Sequence, residues 1–141
     1  MIVVASKAEL DLVKDTNEPI IITGEGAEGI IRALRNIPRK TPIKNVGYAG
    51  SNSIRAGKKC RIGRVQFYYH NADIESEEYI LDGEYPCYTA GDFVTSTNIK
   101  EPCLFDMELA YILALGFKNV VAEKTVSDNL NIKEYQKCMR K

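Results

Sequence analysis

Three acids, Glu9, Glu108 and Asp128, stand where a carboxylate could do chemistry in this 141-residue chain. The stretch from Phe105 to Asn129 reads as a helix followed by a buried strand, with Glu108 in the first helical turn and Asp128 just past the strand. Glu9 follows the short apolar run Ile2 to Ala5. Ligands in α/β proteins gather beyond the carboxyl ends of strands. Acids placed there can give a proton to a leaving group or hold a sugar through its hydroxyls. Each acid also has a plain structural use. Glu9 can complete a capping box with Ser6, Glu108 suits a helix dipole, and Asp128 can cap the last helix. What sets them apart is that all three fall on one predicted rim.

Other candidates carry less. Gly24, Gly26 and Gly29 spell G-x-G-x-x-G between a strand and a helix, the setting in which backbone N–H groups hold a pyrophosphate. The motif follows the second strand rather than the first, and Glu25 and Glu28 put negative charge where phosphates would lie. The ribose-binding acid expected about 20 residues on is replaced by the region of Tyr48. A turn lining a smaller ligand fits better than a dinucleotide-binding module. His70 is the sole histidine, so a histidine relay would have to use it. Between Tyr69 and Asn71 at a strand end, it reads as a hydrogen-bonded side chain rather than a base, although histidine is the usual proton carrier. Cys60, Cys87, Cys103 and Cys138 form no C-x-x-C pair, which points to reduced, buried thiols and to no metal or cofactor.

The elements that must position these residues follow from apolar patterning. Ile2 to Ala5, Pro19 to Thr23, Lys44 to Ala49, Arg61 to Tyr69 and Val120 to Thr125 read as strands. Tyr79 to Leu81 and Tyr85 to Thr89 read as shorter ones. Helices are predicted after Ser6, after the glycine turn (buried face Ala27, Ile30, Ile31 and Leu34), from Asp106 to a stop at Gly116, and over Ile132 to Met139. Strands alternating with helices give an α/β fold, three layers around a mixed central sheet, in one domain over 1–141.

Composition narrows the partners. Hydrophobic residues make up 45% and charged residues 27%, the balance of an ordinary globular protein. Lys+Arg and Asp+Glu are each 19, giving zero formal charge, without the basic excess of a nucleic-acid binder. The basic run from Arg55 to Arg64 reads as a solvated turn. No apolar run reaches the ~18 residues of a membrane span, and the start lacks the pattern of a signal peptide. The expectation is a cytoplasmic protein that binds neither nucleic acid nor membrane.

Taken in order, these segments resemble the purine nucleoside phosphorylase and nucleosidase superfamily, in particular the methylthioadenosine/S-adenosylhomocysteine nucleosidase type of hydrolase. The resemblance rests on Val4-Ala5 with Glu9, Thr23-Gly24-Glu25-Gly26, Asn45 to Gly50, Tyr69 to Asp73, Gly91-Asp92-Phe93-Val94, Met107-Glu108 and Ser127-Asp128. It implies hydrolysis of the N-glycosidic bond of a purine-type nucleoside, with water rather than phosphate as nucleophile. It further implies that Asp128 protonates the base at N7, Glu9 activates the water, Glu108 beside Met107 binds the ribose hydroxyls, and Phe93 next to Val94 stacks on the purine. Gly24 and Ser127 belong to the motifs that surround the ligand.

The departures are also informative. Phosphorolytic relatives grip phosphate with an arginine and a serine, where this chain has Asn45 and Tyr48. Tyr48 is bulky where a small residue is usual and would narrow the site. Between Asp73 and Gly91 the family carries a helix and strand that are missing here, and the last helix is cut short. Relatives dimerise across that region and lend ribose-site residues to each other. The resemblance therefore implies a homo-oligomer, a dimer first of all, and leaves open a non-catalytic nucleoside-binding or regulatory remnant of the same fold.

Overall fold

The computed structural model describes residues 1–69 and 76–140, so His70 and the 71–73 part of the motif lie outside the described residues. Runs of isoleucine and valine form short strands, as β-branched side chains favour a pleated, half-buried surface. β1 (Ile2–Val4) pairs in parallel with β2 (Ile20–Ile22) on one edge and with β3 (Ile43–Ser51) on the other. The remaining strands are β4 (Lys59–Phe67), β5 (Tyr79–Ile80), β6 (Tyr85–Thr89), β7 (Leu104–Asp106) and β8 (Val120–Asp128). β3 pairs in parallel with β8, and β8 runs antiparallel to the start of β4. β4 pairs in parallel with β6, β6 with β7, and β7 lies antiparallel to the end of β3. The pairings from β3 through β8, β4, β6 and β7 thus return to β3 and close a ring.

Helices cover the sheet on both faces. α1 (Gly26–Leu34) and α2 (Leu109–Ala114) contribute Ile30, Leu34, Leu109 and Ile112 to the main core, against Val3, Ile43, Ile62 and Val126. A 3₁₀ segment, Lys7–Leu12, and Val13 cover Ile2, Val4 and Val46 on the other side. This is the three-layer arrangement around a mixed sheet that the sequence predicts. Gly29 lets α1 lie against the exit of β2: a Cβ there would stand 2.3 Å from the Thr23 carbonyl oxygen. Arg39 joins the ends of two helices by donating to the carbonyls of Leu34, Arg35 and Leu115. Among the described residues no helix is long and apolar enough to cross a membrane, and Cys60, Cys87 and Cys103 are buried free thiols.

Four local expectations are corrected. Ile31 is 45% exposed, whereas Ile30 and Leu34 are fully buried; a turn of about 100° per residue carries Ile31 off the narrow face that α1 presents to the sheet. β3 continues to Ser51 because β7 pairs with Gly50 and Ser51. β8 likewise runs to Asp128, so this acid is the strand's last residue rather than one beyond it. Ser6 makes no side-chain cap bond, and Glu9 does not return to it.

One charged pair is sealed inside. Lys124 of β8 and Asp106 of β7 sit 3.2 Å apart with side chains 1% and 0% exposed. Their strands flank β3 on opposite edges. Burial alone would drive the Lys124 ammonium toward deprotonation, but Asp106, Glu108 and Glu9 around it raise its pKa instead. Replacing Lys124 with methionine leaves the buried Asp106 carboxyl without its counter-charge. We expect Lys124→Met to cost about 3–5 kcal/mol in urea denaturation; a loss below about 1 kcal/mol would contradict this role.

Candidate active site

The carboxylates converge because separate elements hold each by backbone amides. Glu9, 5% exposed, receives the Ala5 N–H on Oε1 at 2.6 Å and the Tyr48 N–H on Oε2 at 2.8 Å. This joins the end of β1 to the middle of β3. Gly47 makes room for it: a Cβ at that position would stand 2.5 Å from Glu9 Oε2. Gly47 is also the register partner of Lys124.

Glu108 sits at the N-cap of α2, yet its own side chain makes no cap bond to that helix. Asp106 performs that task, accepting from Leu109 N at 2.8 Å and from Glu108 N at 3.4 Å. Thr89 Oγ1 donates to Asp106 at 2.5 Å and accepts from Ala110 N. The Glu108 side chain is thereby free to reach across to α1, where Gly26 N–H donates to its Oε2 at 2.8 Å. A helix N-terminus needs such an acceptor for its unpaired amides. Burial, and next the charge of Asp106, push the Glu108 carboxyl up to about 7, against the opposing pull of Lys124 and the Gly26 amide.

Asp128 is fully buried. Ser127 Oγ donates to its Oδ1 at 2.6 Å and Leu130 N–H to its Oδ2 at 2.9 Å. Burial raises its pKa from that of an ordinary aspartate, although these donors oppose the shift. Leu130 itself takes a left-handed backbone, φ 62°, which is costly for a branched side chain and turns the chain at the rim. Asn131, not Asp128, caps α3 (Ile132–Met139), accepting from Lys133 N and Glu134 N.

Glu9, Glu108 and Ser127 border one small cleft, partly open to solvent. Of the residues singled out in the sequence, Glu9, Glu108, Met107, Tyr48, Phe93, Val94 and Ser127 line it together. Two predicted site residues do not. Gly24 lies in the turn below, where its N–H goes to the Ala5 carbonyl. Asp128 is behind the wall formed by Ser127 and Leu130. The sequence reasoning missed Tyr135 and the Asp106–Lys124 pair. Tyr135 of α3 donates its hydroxyl to Glu25 Oε1 at 2.7 Å, and its ring centroid lies 5.1 Å from that of Phe93. The dinucleotide motif loses its ligand here, because the Gly26 amide that a pyrophosphate would need is held by Glu108.

No family model and no curated protein matches the chain. Solved structures do. MTAN of Chlamydia trachomatis bound to MTA superposes with a TM-score of 0.80 at 14% identity, over 99% of this chain and 88% of that one. The 5′-methylthioadenosine/S-adenosylhomocysteine nucleosidase of Neisseria meningitidis, in complex with methylthio-immucillin-A, gives 0.78 at 14% identity over 99% and 90%. The corresponding nucleosidase of S. pneumoniae, with a transition-state inhibitor, gives 0.74 at 17% identity over 98% and 90%. The chain has the nucleosidase fold. Within that fold the sheet closes through the parallel pairing of β4 with β6.

The raised Glu108 pKa has a consequence for stability in this nucleosidase fold. A carboxyl at about 7 when folded, against 4.5 when exposed, favours the folded state while protonated. Its stabilisation is complete below the unfolded value and disappears as pH rises through 7. Glu108→Gln, uncharged at every pH, should therefore be more stable than the natural chain at pH 8, by about 3 kcal/mol. The advantage should vanish by pH 4. A thermal-unfolding series with equal offsets at both pH values would refute it.

Proposed function

We propose that this protein is a nucleosidase, hydrolysing the N-glycosidic bond of a purine-type nucleoside with water as nucleophile. The observation that carries the proposal is the meeting of Glu9, Glu108 and the Ser127–Asp128 pair around one cleft. The nucleosidase fold supports it.

Cleavage of such a bond needs a proton on the departing base and support for positive charge on the sugar. Asp128, behind Ser127, supplies the proton at N7 through the Ser127 hydroxyl, which lines the cleft and bonds its Oδ1; its raised pKa keeps the acid form to higher pH than an ordinary aspartate. Glu108 has Oε2 held by the Gly26 amide, which leaves Oε1 for the ribose hydroxyls. Its charge, with that of Glu9, favours the developing oxocarbenium ion. Glu9, fixed by two amides, positions and deprotonates the water. With Asn45 and Tyr48 at the positions where phosphorolytic relatives hold phosphate, the attacking group is water.

Free base released from methylthioadenosine, adenosine or inosine tests the proposal. Asp128→Asn should lower the rate at least about 100-fold, and the natural enzyme's rate should fall as pH rises through the Asp128 pKa. An unchanged rate in Asp128→Asn would remove the acid from its role. Retained nucleoside binding by calorimetry with no base release would instead favour a non-catalytic nucleoside-binding protein. A homodimer belongs to the same proposal; exposed Ile20 and Ile22 on the edge strand β2 support it, and a monomer mass in sedimentation equilibrium would reject it.

A further inference from the structure

Asp106 carries an uneven load. Its Oδ2 faces the Lys124 ammonium at 3.2 Å and accepts from Leu109 N at 2.8 Å and, at longer range, from Glu108 N. Its Oδ1 accepts from the Thr89 hydroxyl at 2.5 Å. Cys87 also bonds this carboxylate, but a thiol is a weak donor. The last torsion of an aspartate is broad, so a carboxylate loaded on one oxygen can swing about it. The short bond from Thr89 to the other oxygen fixes its plane. Thr89 thereby sets the direction from which Asp106 meets Lys124 and α2.

Thr89 is itself firmly held. It is the register partner of Asp106 across the parallel pair β6 and β7, so both side chains leave the same face of the sheet. Both residues are buried. Tyr68 N–H donates to the Thr89 carbonyl, and Ala90 N–H donates to the Asp106 carbonyl. The hydroxyl also works twice, since its oxygen accepts from Ala110 N at 3.0 Å. The amides of Glu108, Leu109 and Ala110, which a helix start leaves without internal partners, thus end on two side chains, Asp106 and Thr89. Glu108 lies beside them with a non-helical backbone. Its Oε2 is already committed to Gly26.

Resting on the nucleoside reading of this cleft, we propose that Thr89 is a positioning residue of the site. By fixing Asp106 and the first amides of α2, its hydroxyl aims the free Glu108 oxygen at the ribose. Thr89 does not line the cleft, so it acts through Asp106 and Glu108 and touches no substrate. Removing the hydroxyl strands two buried groups at once, Oδ1 of Asp106 and the Ala110 amide. Leaving such groups unpaired is unfavourable, so both shift toward other partners, and Glu108 moves with them. A site built to bond a substrate hydroxyl discriminates against analogues lacking it. Loss of Thr89 should therefore blunt discrimination at the sugar hydroxyls.

Base release by the full chain from adenosine, 2′-deoxyadenosine and 3′-deoxyadenosine tests the role. The quantity read is kcat/KM for adenosine divided by that for each deoxy compound. Comparing these ratios between variants cancels the intrinsic lability of each bond. In Thr89→Val, which keeps the shape and removes the hydroxyl, at least one ratio should fall at least about fivefold. Thr89→Ser, which keeps the hydroxyl, should hold both ratios within about twofold of the natural chain. If Thr89→Val loses the circular dichroism of the natural chain, Thr89→Cys, whose thiol bonds weakly, takes its place with the same expected fall. A smaller fall in both ratios, or an equal fall in Thr89→Ser, would overturn the role, because a merely structural threonine lowers all three activities alike. If base is still released in that case, the nucleosidase proposal stands without it. If adenosine binds but no base is released, calorimetric affinities for the three compounds give the same ratios, and Thr89 is decided although hydrolysis fails. Failure of all three compounds to bind would overturn both.

Discussion

The Lys124 ammonium is the physical constraint on which the site depends. Among the described residues it is the one buried cation, and Asp106, Glu108 and Glu9 all act on it. An unpaired charge so deeply buried would be strongly unfavourable, so the chain must bring carboxylates to it from three directions. β7 brings Asp106, the start of α2 brings Glu108, and the 3₁₀ segment brings Glu9. Asp106 then has a second duty, since the same carboxylate holds the first amides of α2. Charge balance in the core and the position of Glu108 are one arrangement.

Backbone amides complete what the ion pair begins. Glu9 is held by Ala5 and Tyr48, Glu108 by Gly26, and Asp128 by Leu130. Each of these bonds fixes a side chain to main chain that is itself part of a strand, a helix start or a tight turn. The consequence is a set of acids whose environments differ although their chemistry is the same. Burial raises both Glu108 and Asp128, but Glu108 lies between Lys124 and a second carboxylate whereas Asp128 answers to a serine hydroxyl and loop amides. Separation of that kind is how like groups take different parts in one reaction.

How much of this could be read from the sequence depends on distance along the chain. Local patterns carried α3, the stop at Gly116, the two short strands near residues 80 and 87, and the rim shared by Glu9 and Glu108. β7 escaped because three residues carry no period, and its apolar Leu104 and Phe105 read equally well as the approach to a helix. The extension of β8 to Asp128 escaped for a related reason: only the pairing with Gly50, 78 residues earlier, shows where the strand ends. In the sequence Lys124 is an alternating polar residue of a strand, and its burial follows from carboxylates brought by three other elements. Tyr135 looked like one more side chain of a polar helix until its hydroxyl met Glu25, 110 residues away.

The anchors that hold the three acids all lie outside the middle of the chain. Glu9 is anchored by β1 and β3, Glu108 by α1 and α2, and Asp128 by the end of β8 and the turn after it. None of these anchors lies between residues 68 and 84. The described part of that region contributes β5, half-buried Tyr79 and exposed Ile80 beside β4, while the ring is closed by β6 directly against β4 and β7. A change in β5 would alter one border of the sheet and leave untouched the amides and the ion pair that hold the acids. Conversely, a change at Gly47 or Lys124, far from any loop, would act on the acids at once, because the space and the charge they require are supplied there.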